Sequence, residues 1–542
     1  MRGMTEAVSA HVTEVLVVGA GPTGLTLANE LARQGVHCRI IDRALAPSIH
    51  SKALGVVPRT LELLEKFGIS QSLVDQGNKV RGVNVFSREK RLVHLELAPL
   101  FHSEYPFLLI VPQSVTEVAL LERLARWGVK VERRVELVAL STDEEHVEAT
   151  LRSGNGTEER VIANWVIGCD GAHSTVRRQL GMSFDGSAFA RRFALADVGL
   201  DVDLPRDELN AFWVQGGFVG IFPMREESRY RLVFDLPSAE EEVTLSEVEH
   251  ALARCGLGRA RVFEPTWLSR FSINQRKTKH YRQGRVFLAG DAAHIHSPIG
   301  GQGMNTGIQD AFNLAWKLAM VVKKEAPASL LDSYEAEREP IGKRIVQLTA
   351  LATRTMLVQN PVARGIRDRL VPLAAASRKR QEKMANGLAQ LSHSYRNSPI
   401  VRDRRPDRSD GSLRAGDRLP AGWLNANGVQ VRLWDLLHDT GHTLLLFAGN
   451  RSGDVLEKQW VKLERNIVDR YGDKVRVQVI GWDGSSSRTV HDGGGVIHAM
   501  AGLEQGGALL IRPDGHIALA VGPSPERVWD DMTQWLVPTG VE

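Results

Sequence analysis

Three short stretches of this chain carry the residue types that hold phosphates and sugar hydroxyls. The first is Gly19-Ala20-Gly21-Pro22-Thr23-Gly24. Gly19 permits a tight turn after a strand, Gly21 lets backbone approach a pyrophosphate, and Gly24 lets a helix pack close to the strand. The helix N-terminus then offers free N–H groups and the positive end of its dipole to the phosphates. Asp42 follows at the expected separation of ~20 residues, where its carboxylate can accept from an adenosine ribose hydroxyl. The second stretch runs from Cys169 to Arg177, CDGAHSTVR, and places Asp170 at a strand end as a helix N-cap that can order phosphate-binding backbone. A simple capped turn reads equally well there. The third is Gly284–His294, GRVFLAGDAAH, with Asp291 at the end of a buried strand, where a carboxylate can hold a ligand hydroxyl. The loop Ser297–Asn305, SPIGGQGMN, allows close backbone approach to a flat ligand. A helix N-terminus at Met304 and Asn305 can stabilise negative charge on such a ligand.

Those residues need a scaffold, and the surrounding patterns supply one. Glu14–Ala20, EVLVVGA, reads as a buried strand, Leu25–Gln34 as a helix capped at Gly35, and His37–Ile41 as a second strand. Trp165–Cys169 and Arg285–Ala289 are further strand-like runs. Phe193–Leu236 alternates apolar and polar residues between Gly and Pro breaks, as an antiparallel sheet does. Helical periodicity follows Asn305 to Lys323 and again from Leu330 to Met356. Residues 397–420 are rich in charge, Pro and Gly and read as a linker. Beyond it come the strand Thr443–Ala448, a helix Val455–Tyr471, the strand Val475–Ile480, a hairpin of Ala508–Ile511 with Ile517–Val521, and a helix Pro525–Leu536.

Together the motifs resemble the class A flavoprotein monooxygenases, the family of para-hydroxybenzoate hydroxylase and phenol hydroxylase. The matching stretches are VVGAGPTGLTLANELARQGV, GCDGAHSTVRRQLG, GRVFLAGDAAHIHSPIGGQGMNTGIQDAFNLAWKL and LLDSYEAEREP. The chain length and tail are similar to the pentachlorophenol hydroxylase branch, which carries a thioredoxin-like third domain. The resemblance implies an α/β fold: a Rossmann-like FAD-binding domain (12–190 and 281–370), an inserted mixed β-sheet substrate domain (191–280, with parts of 80–105 joining it), a helical segment (371–409) and a thioredoxin-like domain (410–542). That last stretch contains no Cys, so dithiol exchange is chemically excluded and its expected role is structural, covering the FAD domain or supporting a dimer.

By the same resemblance, Gly19, Gly21, Gly24, Asp42, Arg43, Lys52, Arg59, Gln113, Leu137, Asp170 and Asp291 bind FAD. So do Pro298, Gly301, Gly303, Met304 and Asn305 of the flavin-facing loop. Lys52 stands where much of the family has Arg; it loses the bidentate fork but can still neutralise a phosphate or attract NAD(P)H. The implied reaction is hydroxylation of a phenolic or polycyclic aromatic by O2 through a C4a-hydroperoxyflavin, with NADH or NADPH as co-substrate. The Pro298 carbonyl would accept from the substrate hydroxyl. Tyr395, in LSHSYRNSPI, resembles a Tyr near the active site in the phenol-type branch and is a candidate catalytic residue with Pro298, although an exposed linker Tyr fits somewhat better. Trp213 and Phe222 are candidate pocket walls, and Trp213 fits a core aromatic equally well.

Composition narrows the alternatives. Hydrophobic residues make up 43% and charged residues 24%, which is ordinary for a globular protein, and the net charge is only +4 with both signs interspersed. Nucleic acid and membrane are therefore not implied as partners. The three cysteines, Cys38, Cys169 and Cys255, have no metal spacing and form no disulfide framework, which fits a cytoplasmic protein, and no metal site is expected. Residues 1–13 lack an apolar core and read as an extension rather than a signal peptide, with Met4 a candidate start. A homodimer is the expected assembly. A related halogenase would show a W-x-W-x-I-P motif, and a membrane epoxidase an apolar anchor; neither is found. A non-catalytic flavin-binding redox sensor is the reading from another class.

Overall fold

A computed structural model describes residues 11–48, 53–215, 217–236, 242–297, 300–405, 411–450, 454–482 and 490–524, with 528, 532, 536 and 537. The chain divides into two compact units. The first holds the described residues up to Ala32, His37–Ala311 and Glu339–Leu391. The second holds Arg33–Val36, Phe312–Arg338 and the described residues from Ser392 onward.

The first unit is built on a sheet whose central strands are parallel. Strand β1, His11–Val18, lies between β2, Cys38–Asp42, and the strand Glu158–Gly168. The last pairs in turn with Val286–Leu288, and β2 with Val131–Arg133. The expected strand–helix–strand opening is present, with helix α1 spanning Pro22–Arg33. β1 begins at His11, so the last residues of the expected extension are sheet. Val15, Leu16 and Val17 of β1 and Leu25, Leu27, Ala28 and Leu31 of α1 are fully buried. Burial on both faces is what a central parallel strand requires, and it accounts for the unbroken apolar run.

A second eight-stranded sheet joins Asp185–Asp201, Glu208–Val214, Gly217–Pro223, Arg229–Leu236 and Arg261–Lys277. His294–Ile295 lies on one edge; Gly82–Ser87 and Lys90–Glu96 extend the other. One face is covered by the helix Leu245–Arg254, whose start is fixed by a Thr244/Glu247 capping box. Phe212, Val214, Val219, Ile221, Leu232 and Phe234 point into that core.

In the second unit His442–Phe447 pairs in parallel with Val475–Gly481 across the helix Asp454–Tyr471, and antiparallel with Gly507–Ile511, which pairs with Ile517–Val521. This is the thioredoxin-like arrangement. The final helix expected at Pro525–Leu536 falls largely outside the described residues. The segment read as a linker is different in the structure. Arg402–Asp403 adds a strand beside Ile517–Val521, and Ser394 and Arg418 bridge to Asp417 and His516. Two of its carboxylates are paired nearby in sequence: Asp417 with Arg396, just before the segment, at 2.8 Å, and Asp403 with Arg405 at 2.7 Å. Among the described residues no helix is long and apolar enough to cross a membrane.

Candidate cofactor and substrate site

The parallel sheet brings the three sequence motifs to one edge. Gly19, Asp42, Cys169–Asp170 and Asp291 follow the carboxyl ends of four neighbouring strands, the place where α/β sheets bind ligands. The turn is close-packed on one side and open on the other. Gly19 has φ +104, and a Cβ there would lie 2.5 Å from the Cys169 carbonyl oxygen; a Cβ on Gly24 would lie 1.9 Å from the Gly19 oxygen. A Cβ on Gly21 would meet nothing within 4 Å. The turn therefore cannot close with larger residues at 19 or 24, while at Gly21 there is a cradle that a side chain would fill.

Asp42 Oδ2 accepts from the Ala20 amide at 2.7 Å, and Oδ1 from Ala44 at 2.7 Å, which fixes the carboxylate at the mouth of the turn with lone pairs to spare. Arg133 lies 3.7 Å from it and also lines a cleft of about 260 Å³ with Pro47, Leu121, Leu124 and Val131. One Arg133 nitrogen is buried without a partner among the described residues. The N-cap of the helix Thr175–Gln179 is Ser174 rather than Asp170. Asp170 instead reaches along the turn, where Oδ2 accepts from the Thr175 and Val176 amides at 2.6 and 3.2 Å. Its Oδ1 is buried and unpartnered among the described residues. An orphaned carboxylate oxygen costs free energy unless a donor fills it. The hydroxyls of a bound FAD are donors of that kind, so the residues present fit this cofactor.

Asp291 is exposed as a residue, yet the protein around its carboxyl group desolvates it and raises it above the ordinary carboxylate range, with Asp310 adding to the rise and His294 opposing it. Its turn is braced by a residue the sequence reading missed. Buried Asp310, from the helix Gln302–Val322, accepts from the Gly290 amide at 3.0 Å and bonds His294 Nε2 at 2.7 Å. Gly290 and Gly307 both approach Thr23 too closely for a side chain, and so the first and third motifs lock together. Gly300 and Gly301 have φ +85 and +63 and turn the chain into that helix, which starts at Gln302, two residues before the expected point. The amides of Gly301, Gln302, Gly303 and Met304 open the helix and have no intrahelical acceptor. The Asn305 side chain is buried, donating to Gly55 and Gly301 oxygens at 2.9 and 2.8 Å and accepting from Val57.

Other expected contacts are partly engaged within the protein. Arg59 is buried and pairs with Glu62 at 3.2 Å. Gln113 donates to Glu117 at 2.7 Å. Arg43 is exposed, and Leu137 is buried in the strand Val135–Thr142. Lys52 and Pro298 lie outside the described residues. Burial pushes the Cys255 thiol up to about 12 and that of Cys169 well above its ordinary value, which leaves both as inert thiols.

Trp213 and Phe222 lie on the sheet face opposite the Leu245–Arg254 helix, because their strand neighbours Phe212, Val214 and Ile221 point into the core beneath that helix, while Trp213 pairs with Phe218 and Phe222 with Arg231. They are ~13 Å apart along the strands. Trp213 is buried with the Arg367 guanidinium 4.3 Å from its ring centre, and its indole N–H has no partner among the described residues. Tyr395 is not an exposed linker residue. It belongs to the second unit, is 4% exposed, accepts from Arg338 at 2.9 Å and packs on His516.

These strand-end carboxylates and helix N-termini define a dinucleotide-binding flavoprotein. Comparison with known proteins gives the family. A model described as "FAD binding domain" matches residues 12–349, and one described as "Aromatic-ring hydroxylase, C-terminal" matches residues 412–538. The chain belongs to the FAD-dependent aromatic-ring monooxygenases. It is 38% identical over 523 residues to 6-methylpretetramide 4-monooxygenase of Streptomyces rimosus, covering 93% of this chain and 90% of the relative. It is 32% identical to pentachlorophenol 4-monooxygenase of Sphingobium chlorophenolicum, covering 94% of each. Among solved structures, anhydrotetracycline hydroxylase OxyS of Streptomyces rimosus superposes with a TM-score of 0.77 at 30% identity, covering 97% of this chain and 99% of that one.

Proposed function

We propose that this enzyme hydroxylates a phenolic ring of a polycyclic aromatic, with NAD(P)H as reductant and O2 as oxidant. The observation that carries the reading is the convergence of Gly21, Asp42, Asp170 and Asp291 at one sheet edge, beside a helix N-terminus at Gln302–Asn305. It is supported by full-length similarity to a pretetramide monooxygenase. Bound FAD supplies the electron-transfer and oxygen chemistry, and the protein supplies binding, orientation and exclusion of water. In this reading Gly21 admits the pyrophosphate, Asp42 and Arg133 hold the adenosine end, Asp170 accepts through its free oxygen, and Asp291 takes the ribityl chain. By the family resemblance, Pro298 and Gly301–Asn305 would hold the isoalloxazine end. The first-turn amides of the helix at Gln302 stabilise negative charge there.

Trp213 and Phe222 form the aromatic wall, and the unpartnered Trp213 N–H is a donor for a substrate oxygen. The sequence has no second G-x-G-x-x-G after a strand, so NAD(P)H is read as a transient visitor rather than a stably bound partner. Purified enzyme supplied with NADPH or NADH is to be assayed against simple phenols, chlorophenols, hydroxybenzoates and hydroxylated anthraquinone-type polycycles, with product masses recorded. A polycyclic phenol is expected to raise NAD(P)H oxidation and to gain 16 mass units. Equal, product-free oxidation with every aromatic would overturn the reading.

A further inference from the structure

The helix Pro361–Ala374 turns an apolar stripe outward, and the chain on either side of it is rich in Lys and Arg. On the helix Pro361–Ala374, Val362, Ile366, Leu370 and Leu373 recur at the spacing of one helical face. With Leu348 and Leu351 of the preceding helix they are 53–71% exposed. An exposed cluster of this size marks an interaction site rather than ordinary surface. The opposite side of the same helix is firmly held. Arg367 is buried over Trp213 and donates to the Thr355 oxygen at 3.2 Å, Asp368 accepts from Ser87 at 2.5 Å, and Val371 packs into the cluster that contains Phe222. The exposed stripe is therefore the outer side of the layer that covers the proposed substrate wall.

Positive charge is gathered in the same stretch of chain, and Arg380 reaches the stripe itself, donating to the Leu373 oxygen at 2.9 Å. Between Lys343 and Lys383 there are ten Lys and Arg residues against two acidic ones, whereas the whole chain carries a net charge of only +4. The two acidic residues, Asp368 and Glu382, are already paired with Arg367 and Arg378. Arg369, Lys379, Arg380 and Lys383 are exposed.

We infer that this face docks on an anionic lipid surface, with the apolar stripe entering the interface and the basic rim meeting the headgroups. A helix with an apolar face flanked by Lys and Arg is the form that lies in a bilayer interface without crossing it. Charge disfavours the other occupants. Self-association through the same face would set each basic rim against its copy. Nucleic acid would satisfy the rim but leave the apolar stripe unmatched. A bilayer matches both, and it is also where apolar aromatics accumulate.

The test uses the full-length, FAD-loaded protein and sedimentation with vesicles of phosphatidylcholine alone or mixed with phosphatidylglycerol. Binding is expected to be at least tenfold tighter on the anionic vesicles, and to weaken as salt shortens the Debye length from about 10 Å to about 3 Å. Ile366→Glu combined with Leu370→Glu should abolish binding. Arg378→Glu combined with Arg380→Glu should remove only the preference for anionic lipid. Both are surface variants expected to keep FAD and the wild-type circular dichroism. Wild-type protein that stays unbound on both vesicle types would overturn the inference, as would glutamate variants that bind like wild type. A dimer in light scattering that the Ile366/Leu370 pair dissolves would assign the face to a second copy, and tighter binding to a DNA or RNA oligomer would assign it to nucleic acid; either also overturns it. None of these measurements requires turnover, so their failure is separate from failure of the hydroxylase reading.

Discussion

Gly21 and Gly24 stand three residues apart and make opposite demands. At Gly24 the backbone of the turn itself occupies the space a methyl would need, 1.9 Å from the Gly19 oxygen. Gly24→Ala should therefore damage the fold, by about 1–3 kcal/mol, and lose FAD as a consequence. At Gly21 the protein offers no obstruction. Gly21→Val should fold with the melting temperature of the FAD-free wild type yet emerge colourless from gel filtration, and Asp291→Ala should lose much of its flavin in the same way. Full flavin content in both of the latter would contradict the site. A second residue effect concerns acid stability. Burial, with Arg512 nearby, pulls the fully buried His442 down to about 3. In the unfolded chain the same ring takes a proton near pH 6.5. As pH falls below that value the unfolded state gains the proton first, so stability drops by up to about 1.4 kcal/mol per pH unit until the folded ring also titrates. His442→Gln should flatten the decline in chemical-denaturation midpoint between pH 6.5 and 4, and an unchanged slope would show that other groups govern it.

At the scale of elements, much of the site was legible because its signals are local. A glycine turn between a strand and a helix and a carboxylate at each strand end lie within a few residues of the element they cap, and the structure keeps them there. What escaped notice depends on distance in sequence. Asp310 braces the Gly290 turn from sixteen residues beyond His294, and Arg133 reaches Asp42 from another strand. The segment 397–420 misled because abundant Arg and Asp resemble a solvated linker when their partners cannot be seen. Those partners form ion pairs and a strand instead. The second unit carries the same lesson further. Fully buried Glu337 accepts from Lys317 at 2.7 Å and from both Arg512 nitrogens, at 2.6 and 2.9 Å. Burial alone would raise the Glu337 carboxyl, but Arg512 and Lys317 hold it down to about 2, while burial draws Lys317 down to about 8. Arg512→Met should cost about 3–5 kcal/mol, because it strands a buried carboxylate and Asp514. Adding Glu337→Gln should recover part of that loss; if thermal unfolding shows the double variant to be as unstable as the sum of the singles, the cluster is not coupled. A chain truncated after Arg405 removes Arg512 and also bares Trp316, Met320 and Leu330, and should aggregate. No variant of this domain should show disulfide reductase activity, since residues 410–542 lack cysteine.

For the molecule as a whole, a net charge of +4 hides an uneven distribution, and the same holds for its chemistry. In this account the reaction rests on FAD held at the edge where four neighbouring strands of the parallel sheet end. The central claim is that this enzyme moves one atom of molecular oxygen into an aromatic ring at the expense of NAD(P)H. The most direct measurement is a single turnover series under 18O2 with the polycyclic phenol that best stimulates NAD(P)H oxidation, followed by mass spectrometry of the product. The account predicts one 18O atom per hydroxylated ring, none from labelled water, and no product from Gly21→Val. Oxygen arriving from water, or NAD(P)H consumed with only hydrogen peroxide formed for every aromatic offered, would contradict it.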